Sequence, residues 1–398
     1  MTRLPPALRP LWPVAKQAHR AATRSVGRVT RSVGYGDVPR IGTDDSRDTV
    51  TAEPGSVARI VAGPEEHLRR RMPQGTPADH WLFEKSLNFD VPERFVLDLK
   101  DGRVVGEHCA IVTAGGILDF ETGPYFGVTG WKEHPIYLRP RLPEVEHLDG
   151  TLAVLACRGS AYNYYHFLID VLPRWGILRE ALPEVQPDAL LINQTTHYQR
   201  ELIGIAGLDA LPLVEPQHTR TWSADRVLVP SLPNHHTMTP RWTTDWLRAT
   251  IRPQDTADKP RRLYVTRGTT PNTRRVLQDE ALSDALERRG FVRFDPGQFS
   301  VRDQIDYFAA AEVVVAPHGA GLTNLIFAPE GVRVLEMFSP RYLNPTFWGV
   351  VDNIPDSHYR YVVGLGKAPK PGSPQVGVQS DIDVSVEEIM TNVDLLLQ

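Results

Sequence analysis

Residues 311–338 read AEVVVAPHGAGLTNLIFAPEGVRVLEMF. An apolar run closes at Pro317, His318-Gly319-Ala320-Gly321 make a turn of mostly small residues, and a helix-like apolar stretch opens at Leu322. A second run, VRVLEMF, ends the segment. Strand, turn, helix and strand in that order form one βαβ unit, whose parallel strands require a right-handed crossover. Small residues in the turn let a ligand approach the backbone, and the unpaired amides of a helix start favour a phosphate. His318, Thr323 and Asn324 add side-chain hydrogen bonds. Glu336 is placed to accept ribose hydroxyls, as acidic residues do in dinucleotide folds. A Gly-x-Gly turn is also a common structural device: a histidine there can cap the helix, and Glu336 can pair with a surface arginine.

The segment just upstream strengthens the ligand reading. RRLYVTRG at 261–268 ends a strand with Arg267, and Arg274 and Arg275 follow. A cationic fork suits a diphosphate leaving group that has no metal to neutralise it. One of Arg274 and Arg275 is expected to cover the following helix instead. The Asp-x-Asp text that metal-dependent sugar transferases use occurs as Asp381-Ile382-Asp383, directly before the last helix. It is read as support for that helix's dipole, with no metal site expected.

Outward from this unit, strands and helices alternate in both directions. RRLYVTR, FVRFD, EVVVAP and VRVLEMF lie in one run; TLAVLAC, ALLIN and DRVLVPS lie in another, nearer the N-terminus. Between them IRPQDTADKP at 251–260 is polar and proline-flanked, like a linker. FVLDL, RVVGEHCAIV and GILDF, split by Asp-Gly and Gly-Gly, read as short β segments. The fold expected is α/β: two Rossmann-like domains facing a cleft, with a β-rich N-terminal extension. The boundaries expected are a disordered basic tail over 1–60, a β-rich segment plus Rossmann-like acceptor domain over 61–253, a nucleotide-sugar domain over 258–370, and a crossing segment with the C-terminal helix over 371–398. Ser385 and Glu388 form the capping box of that helix.

A second distinctive stretch is AYNYYHFLIDVLPRWGIL at 161–178. Tyr164, Phe167, Leu168, Val171 and Trp175 share one helical stripe, while Asn163, His166, Asp170 and Arg174 share another. A His and an Asp one turn apart can work as a dyad, the carboxylate orienting an imidazole that takes a proton from an acceptor hydroxyl. An ordinary ion pair on a solvated face has the same spacing. Asn163 and Arg174 are candidates for acceptor contact. Pro173 is expected to kink or end the helix. His235-His236 in a loop reads as structural or as acceptor contact.

Composition narrows the class. At 398 residues the chain is too long for one ordinary core. Lys+Arg 44 against Asp+Glu 48 gives a formal net charge of -4, so no overall basic field points to nucleic acid. Two cysteines, Cys109 and Cys157, without a CxxC, exclude a disulfide scaffold and a zinc-thiolate site and suit a reducing cytosol. No apolar run is long enough to span a membrane, and prolines and arginines interrupt the N-terminus before a signal core can form. That N-terminus reads as a tail. A sharper alternative rests it on anionic lipid through Arg20, Arg24, Arg28 and Arg31.

Three blocks together resemble glycosyltransferase family 61: YNYYHFLIDVLPRWGIL, RRLYVTRGTTPNTRRVLQDEAL and the stretch from Asp303 to Phe338 with its Pro-His-Gly-Ala-Gly-Leu-x-Asn core. The second block departs slightly, with Gln278-Asp279-Glu280 where the family more often shows Asn-Glu. The resemblance implies a GT-B-like architecture, inversion at the anomeric carbon, no obligatory metal and a nucleotide-diphosphate sugar donor held by the C-terminal domain. It implies donor roles for Arg267, Arg275, His318, Gly319, Gly321, Asn324 and Glu336, with His166 and Asp170, the candidate catalytic pair, facing them. Bacterial relatives linked with capsular polysaccharide imply a cytoplasmic enzyme, peripheral at the inner face of the membrane if its tail binds lipid. No separate cofactor and no nucleic-acid partner are expected; the partners are a nucleotide sugar and a glycan acceptor. Two rivals remain: an NAD-type oxidoreductase built on the unit ending at Glu336, and a non-catalytic glycan-assembly protein on the same fold.

Overall fold

The computed structural model describes residues 12–33, 37–234, 238–268, 274–373 and 377–398. The chain divides into two compact units: Met1–Glu65 with Pro92–Pro233, and Glu66–Val91 with Asn234–Gln398. The paired histidines His235 and His236 lie outside the described residues.

The first unit is built on one mixed sheet. Its parallel half joins Glu144–Val154 to Arg220–Pro230 on one side and Ala189–Leu191 on the other, with Leu213–Val214 at the edge. Its antiparallel half runs through Arg103–Val105, Ala110–Val112 and Ile117–Asp119, while Arg94–Lys100 and Val57–Gly63 form a branch from Arg220–Pro230. The β-rich extension and the Rossmann-like part therefore share a continuous sheet. Phe95, Leu97, Leu152, Val154, Leu191, Val227 and Val229 fill one core cluster of this unit.

The described residues within 1–60 depart from the disordered reading. Trp12–Val33 is a helix, Ile41–Thr43 pairs with Ile117–Asp119, and Val57–Gly63 pairs with Arg94–Lys100. Val38 and Val57 are buried. Strands of three residues, or with the burial of only their ends, leave too little alternation for a sequence pattern to register.

The second unit carries a six-stranded, all-parallel sheet ordered Val292–Phe294, Arg262–Val265, Val313–Pro317, Arg333–Phe338, His358–Val363 and Gln74–Thr76. Val313–Pro317 is buried throughout, as a central parallel strand covered on both faces should be. Leaving aside the last strand, the order reverses between Arg262–Val265 and Val313–Pro317. That is the switch point of a doubly wound sheet, where ligands bind beyond the strand carboxyl ends.

Three boundaries differ from expectation. Residues 66–91 belong to the second unit: Gln74–Thr76 extends its sheet, and Phe83 packs 4.5 Å from Tyr361 and 5.4 Å from Trp348 between ring centroids. The linker-like 251–260 lies inside that unit, beyond Arg241–Thr250, whose Leu247 is buried. The C-terminal helix Val386–Leu397 is no crossing element, because Ile389, Val393 and Leu396 join the core of the same unit. A segment that leaves one unit and returns has no local signature.

Candidate active site

At the switch point, the strand Arg262–Val265 leads to Arg267 and the strand Val313–Pro317 leads to His318. Arg267 Nη1 donates to the His318 carbonyl at 3.4 Å. A Cβ on Gly319 would lie 2.0 Å from that same Nη1, so only glycine admits the guanidinium over the turn. Burial, with Arg274 and then Arg275 adding like charge, pulls the Arg267 guanidinium down to about 10. It remains a cation at neutral pH, held in surroundings that reward an anion. Arg274 is inward as well: burial lowers it, opposed by Tyr342 and Glu336. Its guanidinium carbon lies 5.3 Å from the Tyr342 ring centroid, and its Nε is buried without a hydrogen-bond partner among the described residues.

His318 is buried in a ring of aromatics, with centroids of Phe338 at 5.2 Å, Phe347 at 5.3 Å and Tyr342 at 5.5 Å. Its Nδ1 meets Glu336 Oε1 at 2.5 Å, and the Tyr359 hydroxyl donates to the other Glu336 oxygen. Burial pushes His318 well below its usual range, helped by Arg274 and Arg267. Burial pushes Glu336 well above its own, against the pull of Tyr359 and Arg274. Glu336 is fully buried with both oxygens engaged, so it cannot take ribose hydroxyls. It holds the His318 ring in place through Nδ1.

Other expectations for this loop change in detail. The helix after the turn is a 3-10 helix, Ala320–Phe327, rather than an α-helix from Leu322. Thr323 Oγ1 donates to the Ala320 carbonyl at 2.6 Å, and Asn324 Nδ2 donates to Gln304 Oε1 at 3.1 Å and to the Gly321 carbonyl at 3.3 Å. Both side chains are wholly buried and hold the turn in shape. Gly321 admits Pro296, whose Cγ would be 3.1 Å from a Cβ there. Arg275 is exposed, so of the two adjacent arginines it is Arg274 that enters the site. Asp381 fixes this choice, because its Oδ1 accepts the backbone N–H of Arg274 at 2.9 Å and of Arg275 at 3.0 Å. Arg274 adopts φ +77°, which only such tertiary support makes tolerable. Asp383 accepts from Gln278 Nε2 at 2.7 Å, and Gln278 Oε1 accepts from the Val384 amide at 3.1 Å. The Asp-x-Asp text thus ties down a loop rather than serving the last helix.

In the first unit, His166 Nδ1 lies 2.7 Å from Asp170 Oδ2. The helix carrying them is not uniform: Tyr164–His166 is α, Phe167–Val171 is π, and Leu172–Ala181 is α again. The wider π turn ends just before Pro173, which then stands in the first turn of the next segment, where its missing N–H does no harm. Asn163 caps the start, accepting from the Tyr165 amide at 3.0 Å. His166 is partly open, and its ring lies 5.1 Å from Phe126. Asp170 is buried, and its Oδ1 has no partner among the described residues.

Arg174 is not an acceptor contact. It is 1% exposed and donates to the carbonyls of Leu155, Ala156 and Pro230. Burial lowers it, while Cys157, Cys109 and Asp170 oppose that shift. It is a buried cation beneath the dyad.

Among the described residues, the group placed to share a cation is His147, Asp149 and Asp225, all exposed on a strand bulge of the first unit. It includes neither carboxylate of the Asp-x-Asp text. A cavity of about 390 Å³ in the second unit, lined by Arg71, Trp348 and Arg360 among others, shares only Tyr359 with the His318 network.

Among curated proteins no sequence matches the chain. Among solved structures, a glycosyl transferase family 9 protein from Veillonella parvula is similar at 10% identity and a TM-score of 0.30, over 62% of this chain and 97% of that one. The E. coli heptosyltransferase WaaC with ADP is similar at 10% identity and a TM-score of 0.28, over 62% of this chain and 99% of that one. The architecture above rests on this chain's own strands. Residues 164–335, which hold the His166 dyad and run through the His318 turn to the strand of Glu336, match the family model for Glycosyltransferase 61.

Proposed function

We propose that this chain is a glycosyltransferase that transfers a sugar with inversion from a nucleotide-diphosphate sugar to a glycan acceptor, without a metal, in polysaccharide synthesis at the cytoplasmic side of the membrane. The observation that carries the donor half is the pair of partly buried guanidiniums, Arg267 and Arg274, beside His318 at the switch point. Two partly desolvated cations, with Arg274 Nε lacking a partner among the described residues, suit a multiply charged anion, and a diphosphate meets them with several oxygens. His318 adds Nε2, oriented by Glu336 and Tyr359. Gly319 lets the Arg267 guanidinium lie over the turn, and Gly321 makes room for Pro296.

The acceptor half is assigned to the first unit. Asp170 holds Nδ1 of His166, and His166 Nε2 takes the proton from an acceptor hydroxyl. The hydroxyl oxygen attacks the anomeric carbon while the bond to the diphosphate oxygen breaks, and the leaving charge falls to Arg267, Arg274 and the turn amides. Attack opposite the leaving group inverts the centre. The NAD reading loses its main support, since Glu336 has no free oxygen for a ribose.

A panel of nucleoside diphosphate sugars titrated calorimetrically in excess EDTA tests this, followed by product analysis for the anomer formed. Donor binding and turnover in EDTA with an inverted product are expected. No nucleotide-sugar binding, a retained anomer, or activity lost to EDTA and restored by manganese would each refute the proposal.

A further inference from the structure

The helix Trp12–Val33 is docked with the wrong face outward for a protein surrounded only by water. Ala15, Ala18, Ala22, Val26 and Val29 recur at steps of three and four and form one stripe. All five are exposed, Val26 at 44% and Val29 at 61%. The residues turned inward are Thr23 and Gly27, against the segment Trp131–Leu138. A largely buried Glu133 sets this orientation: Arg20 Nε binds its Oε2 at 2.8 Å and Arg24 Nε its Oε1 at 3.4 Å. Arg20, foremost, holds the Glu133 carboxyl below its usual range. The carboxylate claims the basic side of the helix, and the apolar side is left outside.

Charge decides what such a face meets. The first 36 residues contain seven Lys/Arg and no Asp or Glu, while the whole chain stands at -4, so everything beyond is net acidic. Arg28 is exposed beside the stripe, and Arg24 remains more than half exposed despite Glu133. An apolar stripe bordered by cations, on an otherwise acidic body, fits an interfacial helix on anionic phospholipid. The acidic remainder would be repelled by the same surface, so the helix also sets which side approaches.

We propose that Trp12–Val33 is a membrane-docking helix that lies in the interface of an anionic bilayer through Ala15, Ala18, Ala22, Val26 and Val29, with Arg28 at the headgroups. Of the four arginines considered from sequence, Arg20 and Arg24 are engaged with Glu133, and the side chain of Arg31 lies outside the described residues. The inference stands apart from the transferase mechanism.

Co-sedimentation of the full chain with vesicles of phosphatidylcholine, with and without phosphatidylglycerol, tests it. Binding is expected on the anionic vesicles alone and is expected to weaken at high salt. Arg28→Glu should lower the partition coefficient by at least about fivefold, as for loss of one basic residue at a lipid surface. The pair Val26→Asp with Val29→Asp should abolish it, with melting temperature and nucleotide-sugar binding unchanged. Equal binding to both vesicle types, or undiminished binding by the aspartate pair, would overturn the proposal. So would failure of the parent to sediment, tighter retention by a DNA duplex at the same salt, or a dimer that the aspartate pair dissolves.

Discussion

His166 and Arg267 are expected to fail differently when removed. In the proposed mechanism His166→Ala deletes a proton acceptor that matters only as the acceptor oxygen attacks, so turnover should fall about 10²–10⁴-fold with donor affinity nearly unchanged. Asp170→Asn keeps a hydrogen-bond partner for Nδ1 and loses the charge, so its effect should be in the same direction and smaller. Arg267→Ala removes a cation that the same mechanism sets against the diphosphate before and during bond cleavage, so affinity and turnover should fall together. Calorimetry for donor binding and initial rates on one acceptor separate these outcomes. A His166→Ala protein that binds donor poorly yet turns over normally at saturation would remove the base assignment.

At the scale of the element, the helix from Tyr164 to Ala181 owes its shape to a buried arginine and a π turn. Arg174 uses a planar guanidinium to reach the carbonyls of Leu155 and Ala156, just past the strand Glu144–Val154, and of Pro230. A lysine has one nitrogen and cannot span them, which leaves buried carbonyls without donors. Arg174→Lys should therefore cost about 2–4 kcal/mol of stability, read from urea midpoints, while donor affinity in the folded fraction stays the same. An unchanged midpoint with a raised acceptor KM would restore Arg174 as an acceptor contact. The stripe pattern in the sequence showed that Asn163, His166, Asp170 and Arg174 share a side of the helix. It could not show that the side turns inward by Arg174, because period gives direction around the axis and not depth.

For the whole molecule, buried histidines set the response to acid. His134 in the first unit accepts the Ile136 amide at Nδ1, 3.1 Å away, and its Nε2 is buried without a partner among the described residues. Burial, with His108 adding to it, holds His134 down to about 3. Below about pH 6.5 the unfolded chain takes up a proton there that the folded chain refuses, so stability falls as pH falls through that window. Between pH 7 and pH 5 His134 should remove about 2 kcal/mol. His134→Asn keeps an acceptor for Ile136 and has nothing to protonate, so its urea midpoint should vary less over the same interval. His318 acts in the same sense in the second unit, which is why the variant is compared with the parent rather than with zero. Equal pH slopes for the two would mean that His134 is protonated in the folded protein.

Local order along the chain was enough to determine some of this protein. The run 311–338 specified a strand, a small-residue turn and a second strand, because burial on both faces of a parallel sheet demands continuous apolar strands. The His166–Asp170 spacing specified a pair within reach, because four residues make about one helical turn whether that turn is α or π. Tertiary structure alone decided the rest. It took residues 66–91 into the second unit, where Gln74–Thr76 extends the sheet and Phe83 fills its core. It chose Arg274 over Arg275 through Asp381, more than a hundred residues away. It closed Glu336 to ligands by setting His318 and Tyr359 on its two oxygens. Residue type and spacing record which groups can interact, whereas burial and distant partners determine which of them remain free to bind.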